Sequence, residues 1–319
     1  MTTMDMATGS IASRPQAGIG RAARRVFWPS ARVRAACAFL APVAVLVAAL
    51  IAAPLAGVVW NSLHHASLID ATVGGFAGLD NFRTVLDDEH FLPALTHTLV
   101  WTILSVAGEY ACGLATALAL AQPFRGRALV RGLIILPWVI PIAIAGVNWA
   151  WLLNPDYGVL NAWLVRMGVL AEPHDWLGRS ETALLTVTLV NVWRSFPFYT
   201  ISLLAALTSI PDDLYEAAAL DGAGIVRRFF VITLPHLRPV SLTLIVIHVI
   251  WTAINFDFIW VMTQGGPLDA TETLPILIYR YAMQEFDVGL ACALATLSMA
   301  AMATFFLVQA LVVRAREAR

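Results

Sequence analysis

An all-α, polytopic membrane protein with six transmembrane helices is the fold class this sequence predicts, and three observations predict it. Hydrophobic residues make up 59% of the 319 and charged residues only 13%, against about a quarter charged in soluble domains. Six apolar stretches, at 35–60, 96–121, 132–153, 183–207, 240–262 and 289–313, reach the roughly 20 residues that a helix needs to cross a bilayer core. None alternates polar and apolar residues as a barrel strand does, so helices, which satisfy their own backbone, are the way through lipid. The expected organisation is a flexible Arg-rich arm over 1–34, the first helix with an external loop over 35–95, a five-helix core over 96–313 that contains a long loop at 209–239, and a tail over 314–319.

Charge orients these elements. Every one of the 20 basic residues is Arg. Arg14, Arg21, Arg24, Arg25, Arg32 and Arg34 precede the first span. Arg125, Arg127 and Arg131 lie between the second and third, Arg227, Arg228 and Arg238 between the fourth and fifth, and Arg314, Arg316 and Arg319 in the tail. The opposite loops hold only Arg83, Arg166, Arg179 and Arg280. Basic residues near span ends stay in the cytoplasm, so both termini are expected there, with the arm close to anionic membrane lipid. Arg24-Arg25 before an apolar run resembles an export signal, but the run is longer than a 7–15-residue signal core and more spans follow.

Composition also excludes functions. Without Lys there is no phosphate-cradling P-loop and no Schiff-base chemistry. Cys37, Cys112 and Cys292 lie apart in apolar runs, which suggests neither disulfide nor zinc site, and they read as small buried hydrophobes. The seven His show no metal-ligand spacing; His64, His65, His90 and His174 fall in loops and read as solvent-facing. No catalytic residue, bound cofactor, metal or nucleic-acid partner is indicated.

Two loops are better specified than a connector requires. In the loop after the fourth span, Ser209 can cap a helix, Pro211 suits its first turn, and Asp212 and Asp213 complement its positive end. Ala217, Ala218, Ala219 and Leu220 favour helix, Gly222 can end it in a left-handed turn, and a second amphipathic segment over 225–233 is expected to stop at Pro235. The plain reading is an amphipathic connector; the alternative is a small-residue knob, flanked by Glu216 and Asp221, that fits a groove of another protein. The second loop, Gln264-Gly265-Gly266-Pro267-Leu268-Asp269-Ala270-Thr271-Glu272-Thr273-Leu274, contains a turn signal inside a less common string.

The string from Glu216 to Ala223, followed by Phe229, Ile232, Leu234-Pro235 and Pro239, resembles the EAA loop of ATP-binding-cassette (ABC) importer permeases of the binding-protein-dependent carbohydrate uptake family. The external string through Gly265, Gly266, Pro267 and Thr271, then Ile278-Tyr279 and Phe286, resembles the sugar-importer branch, nearest to permeases of the maltose and glycerol-phosphate type. Gly78-Leu79-Asp80-Asn81-Phe82 and Trp193 with Pro197-Phe198 agree, so the resemblance runs from about residue 35 to the C-terminus. It implies the type I importer permease fold in a bacterial cytoplasmic (inner) membrane. It further implies ATPase-coupling residues Glu216, Ala217, Ala218, Asp221, Gly222, Ala223, Leu234 and Pro235, and external-loop residues Gly265, Gly266, Pro267 and Thr271. Implied partners are a second homologous permease in a heterodimer, two ABC ATPase subunits that use ATP and Mg, an extracytoplasmic solute-binding protein and a sugar substrate. The expected function is therefore a transport subunit rather than an enzyme, importing a sugar or related polyol. The alternatives are a secondary transporter or a permease for another polar solute such as glycerol phosphate.

Ionisable residues inside spans face a partner or a cavity. Glu109, Arg194 and Asp257 stand out, and two readings remain open. They line the substrate pathway with Asn191, Tyr199, Asn255 and Trp260, or they form a packing ion pair such as Arg194 with Glu109 or Asp257. Pro137, Pro141 and Pro197 are expected to bend their helices.

Overall fold

The computed structural model describes residues 31–70 and 72–317. The arm expected over 1–34 lies outside the described residues except where 31–34 already belong to a helix. Every regular element among the described residues is helical, and the only extended pairings are isolated bridges, His64 with Phe76 and Ser67 with Asp287. Helix α1 spans Ala31–Ser62. Contacts divide the chain at Ala53. In the first unit α1 presents Phe39, Val43, Leu46 and Leu50 without cover.

The second unit holds the rest. At the end of α1, the carbonyls of Ser62 and His64 accept hydrogen bonds from Asn81 Nδ2 at 3.0 and 2.9 Å, which fixes α2 (Asp80–Asp87) beneath the turn. Then follow α3 (Phe91–Ala121), α4 (Arg127–Val139), α5 (Ile142–Leu152), α6 (Val159–Arg166) and α7 (Ser180–Leu207). Next come α8 (Asp212–Leu220), α9 (Ile225–Arg228), a π turn (Phe229–Thr233), α10 (Leu234–Ala253) and α11 (Asp257–Thr263). The chain ends in α12 (Leu274–Tyr279), a second π turn (Arg280–Gln284) and α13 (Val288–Glu317).

Helices α3 and α7 form the central pair. A Cβ at Gly113 would have no room against Tyr199 Cβ and would lie 3.1 Å from the Phe196 carbonyl. Apolar residues gain nothing by leaving lipid for protein, so such close approach of small residues is what lets spans pack. Buried side chains gather in three clusters. Trp101, Val187, Phe258 and Ile259 fill the first, Val85, Leu277, Tyr281 and Leu294 the second, and Ala117, Tyr199, Leu203 and Leu237 the third. Trp101 Nε1 also donates to the Thr252 carbonyl at 2.9 Å, joining α3 to the end of α10.

Several elements depart from expectation. Among the described residues four helices are long and apolar enough to cross a membrane, and five if the bent pair α4–α5 counts as one span. The stretch at 183–207 is not among them, although α7 runs unbroken for 28 residues, past Pro197. Thr186, Thr188, Asn191, Ser195 and Thr200 of α7 are all buried within the chain, so protein groups rather than lipid surround its polar positions. The stretch at 132–153 bends by 94° between α4 and α5, where Pro141 cannot donate to the preceding turn. The stretch at 240–262 is displaced. Its helix is continuous with the π turn and α9 back to Ile225, and it breaks after Ala253. Pro235 does not stop it: the Leu234 N–H reaches back to the Phe229 carbonyl in the wider π pattern, and Pro235 occupies the first turn of α10, where a missing N–H costs little. Ser209 does not cap α8. Pro211 holds the N-cap position, and Ser209 Oγ donates instead to the Ala206 carbonyl at 2.7 Å. Cys37 and Cys112 are exposed and Cys292 is half-buried; beside lipid, an apolar side chain needs no cover from its own chain.

Candidate functional site

The polar residues expected within the spans fall into two groups. In the first, Glu109 of α3 is fully buried. Its Oε1 accepts from Asn191 Nδ2 of α7 at 2.9 Å, and its Oε2 lies 2.6 Å from His248 Nδ1 of α10. A buried carboxylate must be paired and hydrogen-bonded, and here three helices share that task. Arg194, one turn beyond Asn191, lies outside ion-pair distance of Glu109 and Asp257 but close enough to Glu109 to interact with it electrostatically, and its buried Nε has no hydrogen-bond partner among the described residues. Tyr199 is buried, with its hydroxyl 3.5 Å from the Leu244 carbonyl and its ring edge-on to Tyr110. His248 packs against Phe198, Tyr199 and Trp251.

The second group surrounds the break between α10 and α11. Asn255 Oδ1 accepts from the Phe258 N–H at 3.1 Å, offering the backbone an alternative to continuing the helix. Asp257 is exposed in the first turn of α11. Trp260 stacks on Phe256 with centroids 5.3 Å apart and meets Tyr279 at 4.4 Å. Aromatic faces beside amide and carboxylate groups are what a sugar ring needs, apolar on its faces and polar at its rim.

The loop over 264–273 is folded into its own chain. Thr271 is fully buried, and Glu272 and Thr273 nearly so. Thr271 Oγ1 donates to the Gly266 carbonyl at 2.8 Å and pairs with Thr263 Oγ1 at 2.7 Å, while its N–H meets the Gly265 carbonyl at 3.0 Å. The Glu272 carbonyl bonds His97 Nδ1 at 3.0 Å, and the Leu274 N–H donates to Thr98 Oγ1 at 2.8 Å, which seats the loop on α3. Arg280 pairs with Asp269 and, at 2.9 Å, with Glu272, and its Nη1 donates to His90 Nδ1 at 3.1 Å. His90 is therefore a half-buried member of this cluster, not the solvent-facing loop residue expected. Burial pushes the Glu272 carboxyl up to about 7, against the opposing pull of Arg280. His90, Asp269 and Glu272 have a spacing that can hold a metal ion, but the Arg280 guanidinium already serves them as a cation.

The third region is the reverse of the second. Helix α8 buries none of its residues, and Leu220 is 90% exposed. Its end is well defined. The Ala223 N–H bonds the Ala218 carbonyl at 2.9 Å and the Gly222 N–H that of Ala219 at 3.1 Å, with Gly222 at φ +77°, the paired closure that suits a left-handed glycine. Glu216, Ala217, Asp221 and Gly222 are exposed, and Ala218 and Ala223 half-exposed. The Tyr215 hydroxyl, 2.9 Å from Thr233 Oγ1, ties the helix to the π turn. Leu234 and Pro235 follow that turn, at the start of α10.

Comparison with known proteins is decisive for the family. The family model for the binding-protein-dependent transport system inner membrane component matches residues 110–317. The chain belongs to that family. It is 35% identical over 261 residues to the sulfoquinovosyl glycerol transport system permease protein SmoG of Agrobacterium fabrum, covering 82% of this chain and 84% of that one. It is also 35% identical over 279 residues to the trehalose/maltose transport system permease protein MalF of Thermococcus litoralis, covering 86% and 92%. A chain in the crystal structure of a bacterial ABC transporter involved in the import of the acidic polysaccharide alginate shares the fold. The TM-score is 0.77 at 24% identity, with 89% of this chain and 96% of that chain covered. The protein is thus a multi-pass inner-membrane permease subunit of an ABC importer, a transport protein and not an enzyme.

Within the permease, sequence reasoning missed His248, which bonds Glu109 directly where Arg194 acts only from a distance. A His inside an apolar run on the helix that also carries Ser241 and Thr252 was the available signal. It also missed Tyr279 as the third ring around Trp260, and Arg280 with His90 as the fastening of the external string.

Proposed function

We propose that the permease forms part of the translocation pathway for a sugar or related polyol, and that α8 with its glycine turn is the element through which ATPase subunits drive it. In this reading six spans cross the membrane: α1, α3, the bent α4–α5, α7, the interrupted segment from Ile225 to Thr263, and α13. Both termini are cytoplasmic, as the fifteen Arg on one set of loops and ends support. The observation that carries the proposal is the contrast inside α8, a helix with a defined start, a defined end and no buried residue. A structured element that its own chain leaves uncovered is built to be covered by another. Glu216, Ala217, Ala218, Asp221, Gly222 and Ala223 would dock in the ATPase, with Leu234 and Pro235 carrying the movement into α10.

Cargo would pass Arg194, backed by the buried Glu109, Asn191 and Tyr199, and Asn255, Asp257 and Trp260 at the α10–α11 break. The names of the relatives support a sugar-like cargo. A second homologous permease would complete the pathway as a heterodimer, two ATPase subunits would supply ATP and Mg chemistry, and an extracytoplasmic solute-binding protein would deliver cargo to the side bearing the loop at 264–273. Closure of the ATPase pair moves the cavity between inward and outward access only if it favours one of those states. Co-purification from membranes tests this reading: a stoichiometric ATPase is expected with the wild-type chain and a depleted one with Glu216→Lys. Full retention of the ATPase by that variant, together with unchanged uptake, would sink the docking role.

A further inference from the structure

A groove of about 350 Å³ opens between the end of α3, the start of α4 and the last turns of α7, within the range of small-molecule sites. Its walls are apolar, with Leu120, Ile134, Ile135, Ile201 and Leu204. Of its polar groups, Thr200 and Thr208 already donate to the carbonyls of Phe196 and Ala205, at 3.1 and 2.9 Å. Arg131 is the exception. One nitrogen reaches the Leu120 carbonyl at a long 3.4 Å, and its Nε is buried without a partner among the described residues. That single contact is the kind a cation makes at a helix C-terminus, and it leaves most of the five guanidinium donors unused. No Asp or Glu lines the groove, and residues 110–155 contain Arg125, Arg127 and Arg131 but neither Asp nor Glu.

We propose that this groove binds one anionic phospholipid, its phosphate on Arg131 and an acyl chain along the isoleucine and leucine wall. A basic pocket between spans with apolar walls has the chemistry of an anionic headgroup site, and guanidinium matches phosphate in shape as well as charge. The choice of the cytoplasmic leaflet rests on the proposed orientation; the site itself does not.

The test uses the permease purified with its ATPase in mild detergent and examined by native mass spectrometry with added phosphatidylglycerol or phosphatidylcholine. One phosphatidylglycerol per chain is expected to survive delipidation, with phosphatidylcholine at least 10-fold less retained and inorganic phosphate unable to displace the lipid. Arg131→Gln should lose the bound lipid at least 10-fold, Arg131→Lys should keep part of it, and Arg127→Gln should keep it all. Should Arg131→Gln fail to assemble, Ala205→Phe, which fills the groove and leaves the charge, is expected to lose the lipid as well. Equal retention of both lipids, or full retention in Arg131→Gln or Ala205→Phe, would overturn the proposal. So would loss of the lipid on assembly with a second permease chain, which would make that chain the occupant. ATPase co-purification reports separately on the importer reading, so the two can fail independently.

Discussion

The α8 loop and the loop over 264–273 follow neighbouring spans of one bundle and carry equally specific sequence patterns, yet their residues are used in opposite ways. Thr271 and Glu272 are buried and bonded to the loop itself, to α3 and to Arg280. Glu216, Ala217, Asp221 and Gly222 are exposed and bonded to little beyond their own helix. A motif can thus record either how a chain folds or what it meets, and burial tells the two apart. If that division is right, substitutions in α8 change transport with the fold intact, and substitutions in the other loop change stability first.

The largest effect is expected in α8. Gly222→Trp places a side chain at φ +77° into open space, at a local cost of about 1–2 kcal/mol, too little to unfold a bundle held by α3 and α7. Glu216→Lys inverts an exposed charge. Uptake should fall at least 10-fold in each, with membrane content and thermal midpoint close to wild type. A large drop in membrane content would break the comparison, because α8 would then be part of the fold.

Thr271→Val sharpens it from the other side. The substitution keeps shape but leaves the Gly266 carbonyl and Thr263 hydroxyl without their buried partner, at roughly 1–3 kcal/mol. The thermal midpoint in detergent should fall while ATPase co-purification persists. An unchanged midpoint would show that the loop does not depend on its internal bonds.

Glu272 gives the same loop a pH signature. Its carboxyl is raised from 4.5 to about 7 by burial, partly offset by Arg280. Between those values the folded chain holds the proton more firmly than the unfolded one, so this group's contribution to stability falls as pH rises through that window and levels off above it. Glu272→Gln removes the titration. The midpoint of wild type minus that of the variant should therefore decrease from pH 5 to pH 8, and a constant difference would count against a buried, titrating Glu272.

Much of this contrast was legible in the sequence, and the limits have physical causes. The glycine turn at 222 and the acidic first turn of α8 were readable because they are local. The long apolar helices were readable because lipid imposes its own composition. Helix α7 was legible by length, but it does not reach the hydropathy of a lipid-facing span, because it carries polar residues such as Thr188 and Asn191 that the fold buries inside the chain. The pairing of Glu109 with His248 spans 139 residues of sequence, and that of Glu272 with Arg280 joins the two ends of α12; no spacing rule announces either. The break after Ala253 depends on an Asn255 side chain bonding ahead of itself, which hydropathy does not register.

The smallest predicted effect concerns a residue that sequence reasoning credited too highly. A capping serine is worth about 1 kcal/mol to its helix, and Ser209 precedes α8 at a plausible position. In the structure Pro211 occupies the cap, and Ser209 Oγ turns back to the Ala206 carbonyl at the exposed end of α7. An exposed hydroxyl bonded to a carbonyl that water can also reach contributes little. Ser209→Ala should therefore move stability by no more than about 0.5 kcal/mol, measured as the denaturation midpoint of the detergent-solubilised chain. A loss near 1 kcal/mol would mean that Ser209 caps α8 after all, and that the uncovered helix draws more of its order from the preceding turn than its hydrogen bonds indicate.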